Sequence, residues 1–344
     1  MSVDTLTVGL VGAGRIGLLH AQHLARHIPM ASLLMVADAN EEAARECARR
    51  FAIPYATQNY QAILENPDIQ AVVICSPTDT HARMIQEAAQ AGKHIFCEKP
   101  IALDLSSIDQ AVAIVASAGV KLQIGFNRRF DANYRRVRQA LERQEIGRPQ
   151  ILSITSRDPG PPPLAYIRVS GGLFLDMMIH DFDMARFLID SEVEEIFTMA
   201  GVMHDTALGE VGDVDTAVVM LRFANGAIAT INNSRYASYG YDQRVELLGS
   251  SGAISIDNKY ANTAIISDGQ SVRRDLPLHF FLERYNESFL LEMAAFVDSV
   301  SHDRPVPVNE QDGRAPVVLA LAARRSLDER RPISIDKMRQ GDAL

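Results

Sequence analysis

At 344 residues the chain exceeds one ordinary hydrophobic core, and about two domains follow. Hydrophobic residues at 47% and charged residues at 22% describe a globular protein, and no apolar run reaches the roughly 20 residues that span a bilayer. A net charge of −9 with no basic cluster interleaved with aromatics lacks the footprint of a nucleic-acid binder, so neither nucleic acid nor membrane is an expected partner. The first residues, Met1 to Thr5, carry no basic leader region, and the location expected is the cytoplasm. Cys47, Cys75 and Cys97 lack metal-ligand spacing and read as reduced thiols.

An apolar strand over 5–11 runs into Gly12-Ala13-Gly14-Arg15-Ile16-Gly17, followed by a helical pattern over 18–27. A glycine-rich loop between a strand and a helix fits a bound pyrophosphate: Gly12 permits the turn, Gly14 lets the phosphates approach, and Gly17 allows close packing. The next strand, 32–37, ends in Asp38, about twenty residues on, where an acid that reads the adenosine ribose belongs. A carboxylate there repels a 2′-phosphate, so the expected cofactor is NAD. Asn40 is better placed than Asp38 to cap the helix over 41–50.

Alternation continues with a helix over 60–65, a strand over 71–76, a helix over 80–91, a strand over 94–97, a helix over 105–118 and a strand over 121–124. Strands separated by such helices make a parallel sheet covered on both faces. Ser76-Pro77-Thr78-Asp79-Thr80-His81 lies at one carboxyl strand end and Glu98-Lys99-Pro100 at the next, where ligands bind in such sheets. Most lysines are solvated surface residues. Lys99 is singled out because the following proline disfavours helix there, and its ammonium at a strand end suits a donor to a developing alkoxide.

Past Phe126-Asn127-Arg128-Arg129-Phe130 the pattern changes. A helix over 132–144 leads into strands over 150–156, 194–203, 216–223, 227–234, 244–248 and 253–256, with turns at Asn225-Gly226 and Ser250-Ser251-Gly252. These strands predict an open, mostly antiparallel sheet with helices on one face and another subunit on the other. Between the first two, Arg157-Asp158 opens a proline-stiffened loop, and Gly171-Gly172 precedes a helix starting near Leu173. On that helix Asp176, His180 and Asp183 fall at i, i+4 and i+7, one polar stripe among apolar neighbours. A carboxylate one turn before an imidazole can orient it as a general base, although the same pattern fits a core histidine with an acidic partner. Tyr236, Tyr239 and Tyr241 crowd a polar turn, and can pack over a sugar-like ring or simply pack. Helices over 280–300 and 312–327 end the chain.

These motifs resemble the Gfo/Idh/MocA family of nicotinamide-dependent oxidoreductases, and within it the inositol dehydrogenase group, from about Thr7 to Val300. The family-level motifs are the Gly12 to Gly17 loop, Glu98-Lys99-Pro100 and the Asp176/His180 helix. More specific are Gly14-Arg15-Ile16-Gly17, the Ser76 to His81 segment, Gly125 to Asp131, Thr155 to Pro163, Ile179 to Leu188 and Tyr239 to Arg244. The resemblance implies an α/β chain: an NAD-binding Rossmann domain over 1–125 and a substrate-binding and oligomerisation α+β domain over 126–344. The last helix, 312–327, can pack on either domain. A homotetramer built through the open sheet is implied as well. So are the roles: Lys99, Asp176 and His180 catalytic; Gly12, Gly14, Arg15, Ile16, Asp38, Ser76, Pro77, Thr78, His81, Glu98 and Lys99 on the cofactor; Arg129, Asp158, Asp183, Tyr239 and Tyr285 around a polyol. The implied reaction oxidises a ring hydroxyl of an inositol and requires no metal.

Overall fold

The structure, a computed structural model, describes residues 5–339. Residues 1–4, read above as lacking a leader, and 340–344 lie outside them. By contacts the chain divides into two compact units. One holds residues up to Asn127 together with Glu287–Val317, and the other holds Arg128–Asn286 and the residues from Val318 on.

The first unit alternates strictly: β1 (Leu6–Val11), α1 (Arg15–Arg26), β2 (Ala31–Ala37), α2 (Glu41–Phe51), β3 (Tyr55–Thr57), α3 (Gln61–Glu65), β4 (Ala71–Ile74), α4 (Thr78–Gln90), β5 (His94–Glu98), α5 (Leu105–Ala118) and β6 (Leu122–Gly125). The strands form one parallel sheet in the order β3-β2-β1-β4-β5-β6. The order reverses at β1 and β4, so the crevice at their carboxyl ends is where a ligand binds. Short polar side chains start the helices: Asn40 accepts from the Glu42 and Ala43 amides, and Asp104 from the Ser107 amide. The edge strand β3 was not expected, since its three residues are too few for a periodic signal.

The second unit begins with α6 (Ala132–Glu142) and β7 (Pro149–Arg157), then α7 (Leu164–Ser170), a π-helical turn (Leu173–Met177) and α8 (Ile179–Ile189). It continues through β8 (Val193–Gly201), α9 (Thr206–Glu210), β9 (Thr216–Phe223), β10 (Ile228–Ser234), β11 (Asp242–Gly249), β12 (Ala253–Ile256) and a small hairpin, β13 (Ile265–Ser267) with β14 (Val272–Arg274). After α10 (Phe281–Ser301) and α11 (Glu310–Glu329), β15 (Ile333–Ser334) and α12 (Ile335–Arg339) complete the described chain. Its main sheet runs β12-β11-β7-β10-β9-β8-β15, antiparallel throughout except where β7 pairs with β10. Burial alternates along β9 and β11, so one face is core and the other is open.

The reading that gave all of 126–344 to one domain meets a segment, Glu287–Val317, that groups with the first unit. The cause is the apolar face of α10, whose Met293, Phe296 and Val297 join Leu10, Val73 and Phe96 in one buried cluster. The helix expected over 312–327 is present as α11, and the division between units falls within it after Val317.

Candidate active site

In the first unit the glycine loop is held by geometry that side chains would destroy. Gly12 has φ +97°, and a Cβ there would sit 2.6 Å from the Cys75 backbone, while one at Gly17 would overlap the Gly12 carbonyl oxygen. At Gly14, the N-cap of α1, nothing lies within 4 Å, which is the opening a pyrophosphate needs. Arg15 and Ile16 form the first turn of α1 beside it.

Asp38 follows β2, and its carboxylate accepts from the Ala13 amide at 2.7 Å and the Asn40 amide at 2.8 Å. Both oxygens are thereby oriented while keeping lone pairs for ribose hydroxyls, and their charge opposes a 2′-phosphate. The residues present therefore fit NAD.

Ser76 follows β4 and shares a 2.6 Å hydrogen bond with Thr80, while Pro77 is the N-cap of α4 and Thr78 its first residue. His81 is buried, with one ring nitrogen 2.8 Å from the Pro100 carbonyl and the other 2.8 Å from that of Ser76. Burial holds its pKa below the ordinary histidine value although both carbonyls pull the other way. With its ring held in this way, His81 braces the Ser76 loop against Pro100. Glu98 ends β5 with its carboxylate 2.9 Å from His20 Nε2, and Lys99, partly exposed, follows.

In the second unit the expected helix over the polar stripe starts differently. Gly171 and Gly172 both have positive φ, and the chain takes a wide π turn over Leu173–Met177 before α8 begins. Asp176 therefore sits on the π turn, with His180 and Asp183 on α8, and i, i+4, i+7 on one uniform helix is corrected to a broken one. Single π turns of this kind concentrate at functional sites. The Asp213 carboxylate fills the space beside Gly172 and accepts the Leu173 amide at 3.0 Å, which pins the turn.

The Asp176 carboxylate accepts from Tyr166 at 3.0 Å and from Arg235 at 3.4 and 3.5 Å. His180 is half-buried. Around it, two consecutive arginines hold α8: Arg128 meets the fully buried Asp181 at 2.5 Å, and Arg129 grips Asp183 through Nε and Nη2 at 2.6 to 3.0 Å. Asp183 is buried, so it acts by fixing Arg129, whose guanidinium is partly exposed.

Asp158 follows β7, and burial, with Asp176 and Asp181 adding, raises its pKa to about 7 against the pull of Arg235 and Arg128. Such a carboxyl exchanges a proton near neutrality. Tyr239 donates to Asp242 at 2.6 Å and receives Arg157 at 3.0 Å. Tyr285 is only 2% exposed and packs under Arg128 beside Tyr241 and Tyr134.

The comparisons with known proteins cover both units. A model of the GFO_IDH_MocA oxidoreductase family, NAD-binding Rossmann fold, matches residues 6–126, and the GFO/IDH/MocA C-terminal domain matches 134–255. This chain belongs to the Gfo/Idh/MocA family. Within the family it is 45% identical over 333 residues to the myo-inositol 2-dehydrogenase of Thermotoga maritima, covering 97% of this chain and 99% of that protein. It is 34% identical to the NAD(+)-dependent scyllo-inositol 2-dehydrogenase of Bacillus subtilis, over 96% of each chain. The crystal structure of myo-inositol dehydrogenase from Lactobacillus casei in complex with NAD(H) and myo-inositol superposes with a TM-score of 0.86 at 25% identity, over 96% of each chain.

Several residues of this Gfo/Idh/MocA site were not singled out from sequence. Arg235 and Tyr166 hold Asp176, Asp181 and Ser156 meet Arg128, and Asn233 donates to Asp181. The polar residues Ser156, Asn233 and Arg235 at the ends of strands were the available signal, since polar groups are buried there only with partners.

Proposed function

We propose that this chain oxidises one ring hydroxyl of myo-inositol to the ketone, 2-keto-myo-inositol, with NAD as the oxidant. The observation that carries the reading is the set of oriented polar groups around α8: His180 one turn after Asp176, Arg129 clamped on Asp183, and Asp158. His180, oriented by Asp176, removes the hydroxyl proton. Asp176 keeps its direction through Arg235 and Tyr166. The Lys99 ammonium stabilises the developing alkoxide. NAD, when bound against Gly12, Gly14 and Asp38, supplies the acceptor for the ring hydride.

A substrate made only of hydroxyls must be recognised by many hydrogen bonds, and Arg129, Asp158 and Tyr239 offer donors and acceptors. A site built this way rejects an analogue lacking one hydroxyl. The likeness to a scyllo-inositol enzyme makes the same chemistry on scyllo-inositol the second reading. NADH formation with myo-inositol, scyllo-inositol and glucose side by side tests both. A higher kcat/KM for scyllo-inositol or glucose transfers the assignment, and no NADH from any of the three leaves a sugar-binding regulator.

The open face of the main sheet supports a homotetramer. Met199, Val218, Met220 and Ile228 are exposed on neighbouring strands, with Met199 opposite Val218, an apolar stripe suited to a second copy. Three free thiols suit the cytoplasm, and no described helix is long and apolar enough to cross a membrane. A ring-ketone product suits the oxidative entry to inositol breakdown, the role we propose.

A further inference from the structure

A second cluster of chemistry-bearing side chains lies wholly in the first unit. His20 from the middle of α1, Glu98 from the end of β5 and Glu292 from α10 bring a ring nitrogen and two carboxylates within 4.8 Å of one another. His20 and Glu292 are fully buried, and the Glu98 side chain is 12% exposed. The edges of Phe96 and Phe289 flank the imidazole, with ring centroids 5.2 and 5.9 Å away, and fix where Nε2 points. Nε2 lies 2.9 Å from Glu98 Oε1.

Glu292 is the anomaly. Both of its carboxylate oxygens are buried, and neither has a hydrogen-bond partner among the described residues. Buried polar atoms are nearly always satisfied, and a carboxylate more strictly than most, so a pair of orphaned oxygens aimed at a histidine and a second carboxylate points to a ligand. With both carboxyls deprotonated, two carboxylates and an imidazole offer two negative charges, which a divalent cation neutralises. The mixed nitrogen and oxygen set suits zinc, manganese or iron better than calcium or magnesium, which take oxygen throughout. Ligand atoms around such ions lie about 3–4 Å apart, given bond lengths of about 2.0–2.2 Å. Glu292 has no existing hydrogen bond to surrender in closing that distance.

We propose that His20, Glu98 and Glu292 form a structural site for one divalent transition-metal ion, joining α1, β5 and α10 within the first unit. Ligation requires deprotonated carboxylates, so affinity rises with pH. The site is independent of the dehydrogenase assignment, and its test reads metal occupancy rather than turnover.

The full-length chain, stripped with chelator and dialysed, is titrated with Co(II) and followed by visible absorption and by elemental analysis of the dialysed protein. The expected result is one saturable Co(II) per chain, displaced by Zn(II), with affinity weakened at least about 10–100-fold in both Glu292→Gln and His20→Gln. Circular dichroism of each variant establishes that it is folded, and His20→Gln serves where Glu292→Gln is not. Failure to bind Co(II) or Zn(II) saturably overturns the proposal, as does binding that both substitutions leave unchanged. Either of those results identifies Glu292 as a neutral buried acid.

Discussion

Replacing Arg128 by methionine tests the clamp on α8 directly. The Arg128 side chain is 4% exposed and Asp181 not at all, and the two meet at 2.5 Å. Asn233 contributes one further hydrogen bond to Asp181 at 2.9 Å. Removing the guanidinium strands a carboxylate that burial already pushes toward the protonated form. Breaking a buried pair from one side costs about 3–5 kcal/mol, whereas replacing both partners with apolar groups of similar volume is close to neutral. Arg128→Met should therefore lose about 3–5 kcal/mol, and Arg128→Met with Asp181→Leu should recover most of it. Urea denaturation of wild type, both single variants and the double variant gives the coupling, provided the slopes agree. The sign with pH is also set. A carboxyl whose folded pKa is raised stabilises most when protonated, so the Arg128→Met deficit should shrink in acid and grow toward neutrality. Since Asp181 follows His180 on α8, the single variant should also lower kcat more than it raises the polyol KM. A loss under about 1 kcal/mol, or a double variant no better than the singles, refutes the clamp.

His180→Ala should lower turnover by roughly 10²–10⁴ with NAD affinity unchanged, and near-normal turnover removes His180 as the base. Asp38→Ser removes the acceptor that orders the Ala13 and Asn40 amides and the charge that opposes a 2′-phosphate, so NAD KM should rise and NADP KM fall. A comparison of the two cofactors in wild type and variant reads this out. Asp158, with a folded pKa of about 7 against an ordinary value of 3.8, contributes stability that is complete below about pH 4 and lost as pH rises through 7. Asp158→Asn should flatten stability over that window, and equal slopes in the two proteins would exclude Asp158 as the source.

Much of this was legible in the chain because local physics left little choice. The glycine loop, the acid at Asp38 and the asparagine cap at Asn40 each follow from a backbone demand that few residues meet, and the structure places all three as the spacing requires. The parallel and mostly antiparallel sheets were readable because strand length and turn residues repeat. The errors arose where tertiary contact overrides the local pattern. A π turn carries nearly the same composition as an α turn. What widens the helix at Leu173–Met177 is Asp213, forty positions on, seated against Gly172 and the Leu173 amide.

The same contrast explains why the partners of the proposed base were harder to find than the base itself. Asp176 and His180 are four residues apart and announce themselves by periodicity. Arg235, which holds Asp176, is fifty-nine positions away on a different element and has no periodic relation to it. Its signal was energetic: an arginine 1% exposed at the end of a strand is tolerable only with an acid beside it, and Asp176 and Asp213 both supply one. Buried charge that sequence marks as costly therefore locates the supports of a site even where spacing does not. By that reasoning the pairs Arg128–Asp181 and Arg129–Asp183 anchor α8 and Arg235–Asp176 anchors the turn before it, so breaking any one of them should lower turnover through His180.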